Sequence, residues 1–206
     1  MTTFRLLTVC TGNVCRSAMA AILLRDRLAA LSDVVVASAG TGAPVGMGMT
    51  YEGLHLMDRL GLGDLARAHR AQDLTRELIQ TSDLILTAAQ THRRAVVQDV
   101  PAATGRTFTL NQFAHLAQYV GAEEWDWAAG ELAPEASPLS AAVLAAGAAR
   151  AVAPHLTGER LDIADPYMEP MPVYEACLAQ VTQAVDAIAG LLLAAPAGQG
   201  AAAGHA

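Results

Sequence analysis

A cysteine and an arginine separated by five residues lie near the start of the chain, in the segment CTGNVCRS at residues 10–17. A thiolate is a strong nucleophile, and a guanidinium group can hold two oxygens of a phosphate at once. Cys10 and Arg16 therefore have the chemistry to attack a phosphate ester and to bind its oxygens. The apolar run at 4–9 and the Ala-, Leu- and Arg-rich stretch at 16–31 predict a buried strand, a short loop and a helix.

The loop between this strand and this helix is expected to bind an anion. Backbone N–H groups of such a loop converge with the positive end of the helix dipole, and both favour the thiolate of Cys10. Gly12 and Asn13 are residue types that tolerate the left-handed backbone of a tight loop. Ser17 can hydrogen-bond the sulfur. The predicted phosphate-binding loop consists of Thr11, Gly12, Asn13, Val14, Cys15, Arg16 and Ser17.

The segment resembles the signature Cys-x-Gly-Asn-x-Cys-Arg-Ser of the low-molecular-weight protein tyrosine phosphatase family. It lacks the Gly-Lys-Ser/Thr of a Walker-type loop. The resemblance implies hydrolysis of a phosphomonoester through a thiophosphate on Cys10, with no metal or other cofactor. It also implies a phosphotyrosine protein or a small aryl phosphate as substrate, and inorganic phosphate as product and inhibitor.

Two supporting residues follow from the same resemblance. Ser38 opens the segment Ser-Ala-Gly-Thr, which borders the phosphate-binding loop in the family. His69 lies in a context where family members carry a histidine that holds the loop asparagine, here Asn13. A lone histidine is more often structural than catalytic, and we expect a structural role for His69.

Asp165 is the candidate acid. Asp165-Pro166 alone indicates only a turn. Followed directly by the amphipathic helix predicted at 173–193, it matches the Asp-Pro acid loop of the family. The resemblance implies that Asp165 protonates the leaving oxygen and then acts as the base. Activity is therefore expected to peak at mildly acidic pH.

The substrate rim has two candidate residues. Tyr167 can stack on an aromatic ring, although Met168 stands where a second aromatic residue often follows in the family. Met47 offers a soft apolar contact, but its loop, residues 43–50, is equally consistent with a plain surface loop. Relatives that hydrolyse phosphoarginine carry threonine before the second cysteine of the signature. Val14 at that position favours a phosphotyrosine pocket.

Strands that alternate with helices predict an α/β fold. We expect a small doubly wound four-stranded parallel sheet flanked by helices, with strand order 2-1-3-4 and the phosphate-binding loop at its carboxyl edge. The predicted strands are 4–9, 34–37, 83–87 and 106–110. Beyond the first helix, the predicted helices are 51–60, 74–80, 91–97, 111–120 and 173–193.

The expected domain organisation is a single phosphatase domain over residues 1–193. Residues 121–158 depart from the family pattern and are interpreted as an extension: a lid, a dimer surface or decoration. Within it we expect an acidic Trp-containing loop at 123–127 and an alanine-rich helix at 138–152 that packs into the core. Residues 194–206 form a small-residue tail that is expected to be disordered.

Composition indicates the expected cellular compartment and argues against some classes of partner. The net charge is −7 and all 13 basic residues are arginine, which argues against nucleic acid and anionic membranes as partners. The apolar stretch at 187–196 is too short to span a bilayer. Three cysteines without a signal peptide favour the reducing cytoplasm. Cys177 is expected in the core, whereas Cys15 is either a redox guard that forms a disulfide with Cys10 or a packing residue.

Two other functions are consistent with the same loop. An arsenate reductase with an internal thiol relay needs a cysteine pair after the third strand, and residues 87–100 contain no cysteine. A reductase that uses an external thiol stays open. A catalytically idle phosphate-binding regulatory module is the other alternative, and the presence of Cys10, Arg16 and Asp165 argues against it.

Overall fold

The computed structural model describes residues 2–195, and its centre is a four-stranded parallel sheet in the order β2-β1-β3-β4. The strands are β1 (Phe4–Cys10), β2 (Val34–Gly40), β3 (Leu84–Thr87) and β4 (Thr107–Thr109). The α/β class and the strand order predicted from the sequence are confirmed.

The central strand β1 is buried on both faces because its apolar side chains alternate between two layers. Leu6 packs into the larger core cluster on one face, and Leu7 packs into a second cluster on the other. Cys10 ends the strand opposite Gly40 of β2. All strand pairings are parallel, so the strands end at the same edge of the sheet and Cys10 lies there.

Helices cover both faces of the sheet. They are α1 (Arg16–Arg27), α2 (Tyr51–Arg59), α3 (Gly63–Ala68), α4 (Arg76–Thr81), α5 (Gln90–Asp99), α6 (Leu110–Ala117), α7 (Ala122–Glu131), α8 (Leu139–Ala148) and α9 (Met171–Leu193). Short 3₁₀ turns occur at Pro101–Arg106, Ala149–Ala151 and Gly158–Leu161. Helix α1 ends four residues before the predicted limit of 31, and a turn closed by the Leu31 N–H donating to the Leu28 carbonyl leads into β2.

Helix α9 is the longest element, at 23 residues. By length and composition it is apolar enough to cross a membrane. The stretch at 187–196, on which the expectation from sequence rested, is too short to do so. One face, which includes Cys177 and Val181, is buried in the main core, and the helix packs against α1 and α6. A core helix of a soluble protein has the same length and hydropathy.

The extension at 121–158 differs from the sequence prediction in one respect. The acidic Trp-containing segment at 123–127 is part of helix α7 and not a loop. Glu124 reaches back to accept from the Gly121 N–H at 2.8 Å, and acidic residues in a first turn suit the helix dipole. Helix α8 packs into the core, and the Arg150 guanidinium lies 4.4 Å from the centre of the Phe108 ring. Most of the tail predicted at 194–206, residues 196–206, lies outside the described residues.

Candidate active site

A cavity of about 250 Å³ opens at the carboxyl end of β1. The cysteine loop begins at its floor, and α1 starts at Arg16 with no acidic residue in its first turn. The positive end of the α1 dipole therefore points at the loop without a competing carboxylate. The cavity is lined by Cys10, Thr11, Gly12, Val14, Cys15, Arg16, Gly42, Pro44, Asp165 and Tyr167.

The Cys10 sulfur lies within hydrogen-bond distance of two donors. The Asn13 N–H donates to it at 3.2 Å, and the Ser17 hydroxyl lies 2.9 Å away. The Asn13 side-chain amide donates to the same Ser17 oxygen at 3.0 Å. Because that oxygen already accepts one hydrogen, its own proton is free to point at the sulfur. This arrangement stabilises a negative charge on Cys10.

Asn13 fixes the shape of the loop. Its backbone has φ +54°, in the left-handed region that asparagine tolerates better than most residues. Its carbonyl accepts from His69 Nε2 at 2.7 Å, and its side-chain oxygen accepts from the Gln72 N–H at 3.1 Å. Burial lowers the pKa of His69, which favours the neutral ring that donates from Nε2. Gly12, also expected to need unusual dihedrals, is not at positive φ.

The end of β2 supports the loop from the side. A Cβ on Gly40 would lie 2.4 Å from the Thr11 carbonyl oxygen, so only glycine fits at this close approach. Ser38 is buried in β2, and its carbonyl accepts from Gln72 Nε2 at 2.8 Å. Gln72 thus connects Ser38 to Asn13.

Arg16 and Asp165 meet above the loop although 149 residues separate them in sequence. The guanidinium donates from Nη2 to Asp165 Oδ2 at 2.5 Å and from Nη1 to the Ile163 carbonyl at 3.2 Å. Arg16 is buried, whereas the Asp165 side chain is 50 % exposed. The other carboxylate oxygen accepts from the Tyr167 N–H at 3.2 Å. The structure therefore brings Cys10, Arg16 and Asp165 to one cavity.

The two predicted rim residues have different positions. Tyr167 lines the cavity. Met47 is 53 % exposed on the neighbouring loop but does not line the cavity, where Gly42 and Pro44 of that loop stand instead. Met168 is 88 % exposed and has φ +65°.

Cys15 lies between the loop and α9. Its sulfur is 3.5 Å from the Thr50 hydroxyl and 3.6 Å from the Tyr174 hydroxyl. Burial raises the pKa of the Cys15 thiol, so this cysteine is protonated at neutral pH. All three cysteines are free thiols.

His92 contacts the loop and was not singled out by the sequence. Its Nε2 lies 2.9 Å from the Thr11 hydroxyl. The available signal was a histidine in the first turn of the helix that follows β3, at the same edge of the sheet as Cys10. Among residues 2–195, no group of three or more His, Cys, Asp or Glu side chains is arranged to hold a metal ion.

These features define a class of protein. A buried cysteine accepts hydrogen bonds inside a strand-loop-helix anion site, next to a buried arginine and a half-exposed carboxylate, as in a cysteine-dependent phosphatase. The model of the low molecular weight phosphotyrosine protein phosphatase family matches residues 5–126, more than half of the chain. The chain belongs to this family, as its signature segment indicated, and it is a cysteine-based phosphatase.

Individual relatives agree with this membership. The chain is 32% identical over 182 residues to a probable low molecular weight protein-tyrosine-phosphatase EpsP of Ralstonia solanacearum, a match that covers 88% of this chain and 91% of the relative. The YwlE arginine phosphatase from Geobacillus stearothermophilus superposes with a TM-score of 0.63 at 28% identity, covering 92% and 93% of the two chains. The tyrosine phosphatase Wzb from Escherichia coli K30, solved in complex with phosphate, shares the fold with a TM-score of 0.61 at 22% identity, covering 92% and 98%.

Proposed function

We propose that this phosphatase hydrolyses phosphotyrosine, or a small aryl phosphate of similar shape, through a thiophosphate on Cys10. One observation supports the proposal most strongly: the Cys10 sulfur, the Arg16 guanidinium and the Asp165 carboxyl line the same cavity. They supply a nucleophile, a phosphate clamp and a proton donor for the leaving group.

In the first step, the Cys10 thiolate attacks phosphorus in line with the leaving oxygen. The sulfur–phosphorus bond forms as the bond from phosphorus to the aryl oxygen breaks. Loop N–H groups and Arg16 hold the three non-bridging oxygens through the transition state. Protonated Asp165 gives its proton to the leaving oxygen, so a neutral phenol departs.

In the second step, the Asp165 carboxylate takes a proton from water. The water oxygen attacks phosphorus, the sulfur–phosphorus bond breaks, and the Cys10 thiolate and inorganic phosphate are released. Ser17, which is within hydrogen-bond distance of the sulfur, stabilises the thiolate as it leaves.

The ion pair between Arg16 and Asp165 has a consequence for substrate binding. Arg16, which must clamp the phosphate, forms an ion pair with Asp165 in this structure. A bound phosphate competes with Asp165 for the guanidinium, and the carboxyl group it displaces is free to turn toward the leaving oxygen. Because Asp165 must be protonated while Cys10 is ionised, activity is expected to be highest at mildly acidic pH.

Phosphoarginine is the second candidate substrate, because a structural relative is an arginine phosphatase. The residue that favours the aryl substrate is Val14, a buried apolar side chain in the cavity wall. Tyr167 at the cavity mouth can stack on an aryl ring.

The decisive experiment is to assay one enzyme preparation with para-nitrophenyl phosphate, a phosphotyrosine peptide, the matched phosphoarginine peptide and arsenate. We expect the phosphotyrosine peptide to have the higher kcat/KM and arsenate not to be reduced. The Val14→Thr variant is expected to shift the ratio toward phosphoarginine. Faster turnover of the phosphoarginine peptide by the wild type would overturn the aryl assignment. Absence of turnover of every phosphate would overturn catalysis through Cys10.

We also propose a cytoplasmic location. Three free thiols suit a reducing compartment, and the net charge of −7 argues against a nucleic acid or an anionic membrane as partner. Cell fractionation should recover the protein with the soluble fraction. Recovery in the membrane fraction would contradict this location and point to α9.

A further inference from the structure

His92 is a buried histidine that the two catalytic steps do not use. It lies in the first turn of α5 and is only 5% exposed. Its Nε2 is 2.9 Å from the Thr11 hydroxyl, and Thr11 follows the proposed nucleophile and lines the cavity. Its other nitrogen, Nδ1, is buried and has no hydrogen-bond partner within the part of the chain that the structure describes.

The orphaned Nδ1 identifies the favoured tautomer. A proton on Nδ1 would leave an N–H donor buried without an acceptor, and such donors are rarer in proteins than under-satisfied acceptors. A proton on Nε2 instead leaves only a bare acceptor at Nδ1. In that tautomer His92 donates to the Thr11 oxygen. The hydroxyl proton of Thr11 is then free to point into the cavity, where it adds a donor for a phosphate oxygen.

The charge state of His92 agrees with this tautomer. Burial, and next the positive charge of Arg16, lower the pKa of His92 to about 4, against smaller opposing effects of Asp165 and Asp162. The ring is therefore neutral from pH 5 to 8. It cannot deliver a proton in that range, but it can hold one on Nε2 as a hydrogen-bond donor.

The first turn of α5 also holds the acid-bearing segment. The Gln90 N–H donates to Asp162 Oδ1 at 2.8 Å, and the Ile163 N–H donates to the Ala88 carbonyl at 2.8 Å. This turn therefore contacts both halves of the site, the cysteine loop through His92 and the Asp165 segment through Asp162, and Ala88 just before the helix holds Ile163.

We propose that His92 is a positioning residue for the phosphatase reaction: as a neutral donor to Thr11, it fixes the start of the cysteine loop and aims the Thr11 hydroxyl at the phosphate. This inference rests on the proposed function, since it assigns His92 to the loop that carries the thiophosphate chemistry. The competing explanation is a histidine that merely fills space in the core. The two explanations differ in one respect: a positioning residue affects catalysis through Thr11, and a space-filling residue does not.

The test compares His92→Leu, His92→Gln, Thr11→Val and the double variant T11V/H92L with the wild type. Leucine fills similar space without a hydrogen bond, and the glutamine amide can place a donor where Nε2 lies. His155→Leu is the matched control, because His155 is exposed and outside the cavity. The measurements are kcat and KM for para-nitrophenyl phosphate from pH 5 to 8, the affinity for inorganic phosphate by calorimetry, and the melting temperature.

We expect His92→Leu to lower kcat/KM by about 3- to 10-fold, the loss typical of one hydrogen bond. The factor should be the same at every pH from 5 to 8, and phosphate affinity should fall with it. The melting temperature should stay the same or rise, because the substitution removes an unpaired buried nitrogen. His92→Gln should recover most of the activity, T11V/H92L should be no slower than Thr11→Val alone, and His155→Leu should match the wild type.

Three results would overturn the inference. The first is an unchanged kcat/KM in His92→Leu, and the second is a loss of kcat/KM in T11V/H92L equal to the product of the two single losses. The third is a loss of kcat/KM in His92→Leu that comes with a lower melting temperature and is not recovered in His92→Gln. An inactive wild type is a different result, because it would refute the proposed function. The calorimetric affinities for phosphate would then still measure whether His92 acts through Thr11.

Discussion

The two loops that form the site differ in how firmly they are held. The cysteine loop is buried at Cys10 and from Asn13 to Ser17, and its sulfur, its asparagine and Ser17 form a connected set of hydrogen bonds. The acid loop is more open: the Asp165 side chain is half-exposed, and beyond the buried Pro166 both Tyr167 and Met168 are exposed. Asp165 is held by the Arg16 guanidinium and one backbone N–H.

This difference indicates a division of labour. Donors that stabilise developing charge are most effective when they are already in place before the substrate arrives, and the cysteine loop meets that condition. A general acid must bond first to its resting partner and then to the leaving group, so its loop has to allow a change of partner. The cysteine loop is therefore suited to hold its donors in place, and the acid loop is suited to let Asp165 change its hydrogen-bond partner.

The most damaging change to the cysteine loop is Cys10→Ser, which removes the nucleophile and keeps the loop backbone. Turnover should fall by at least about 10⁴-fold, as expected when a catalytic nucleophile is lost. Phosphate binding should persist, because the loop N–H groups and Arg16 are unchanged. Steady-state kinetics and calorimetric titration with phosphate measure the two effects. Appreciable residual turnover would contradict the assignment of Cys10, and loss of phosphate binding would contradict the rigidity of the loop.

The corresponding change in the open loop is Asp165→Asn, which removes the acid but keeps the side-chain volume. Loss of a general acid typically costs about 10²–10⁴-fold. The loss should be largest for aryl phosphates with poor leaving groups and smallest for para-nitrophenyl phosphate, whose leaving oxygen needs a proton least. A leaving-group series in the wild type and the variant measures this slope. If every aryl phosphate slowed equally, Asp165 would not be the acid.

The rigid loop was largely predictable from the sequence, because its chemistry is local. Cys10, Asn13, Arg16 and Ser17 are close in sequence, and a strand-loop-helix order brings their polar groups together without help from distant segments. The strand order 2-1-3-4 followed from alternating strands and helices together with the family resemblance. The place of Asp165 in the same site as Cys10 was predicted only through the family resemblance, and its ion pair with Arg16, 149 residues away, was not predicted.

What the sequence did not reveal depends on contacts between distant segments. Gly40 must be glycine because the Thr11 carbonyl approaches it, and nothing in its neighbours along the chain indicates that contact. His92 looks like any polar residue of a helix until the sheet brings it to Thr11. Helix α7 was mistaken for a loop because its tryptophans and acidic residues do not form an apolar stripe, whereas Glu124 provides the capping bond at its start.

Acid should destabilise the folded protein through the two buried histidines that contact the cysteine loop. The pKa of His92 is lowered to about 4 and that of His69 is lowered as well, chiefly by burial. The unfolded chain therefore binds more protons than the folded one as pH falls from about 6.5, and the free energy of unfolding decreases until the pH reaches the folded pKa. For His92 the loss is at most about 3 kcal/mol.

Urea unfolding of the wild type and of His92→Leu between pH 7.5 and 4 isolates this contribution. The two proteins should differ little in pH dependence above pH 6.5, and the variant should lose less stability below it. Equal slopes in both proteins would mean that His92 is not neutral in the folded state.

The smallest effect should come from the link between the open loop and α5. Asp162 Oδ1 accepts from the Gln90 N–H at the start of that helix, where Ala89 offers no side-chain cap. Asp162→Ala should lower the free energy of unfolding by about 1 kcal/mol, as loss of a helix cap does. It should also lower kcat a few-fold without weakening phosphate binding, because the segment that carries Asp165 is less firmly placed while the bond from His92 to Thr11 is kept. Asp162→Asn keeps an oxygen acceptor and should recover most of both losses. If Asp162→Ala weakened phosphate binding as much as it lowered kcat, the two loops would not be independent, and the division of labour would be wrong.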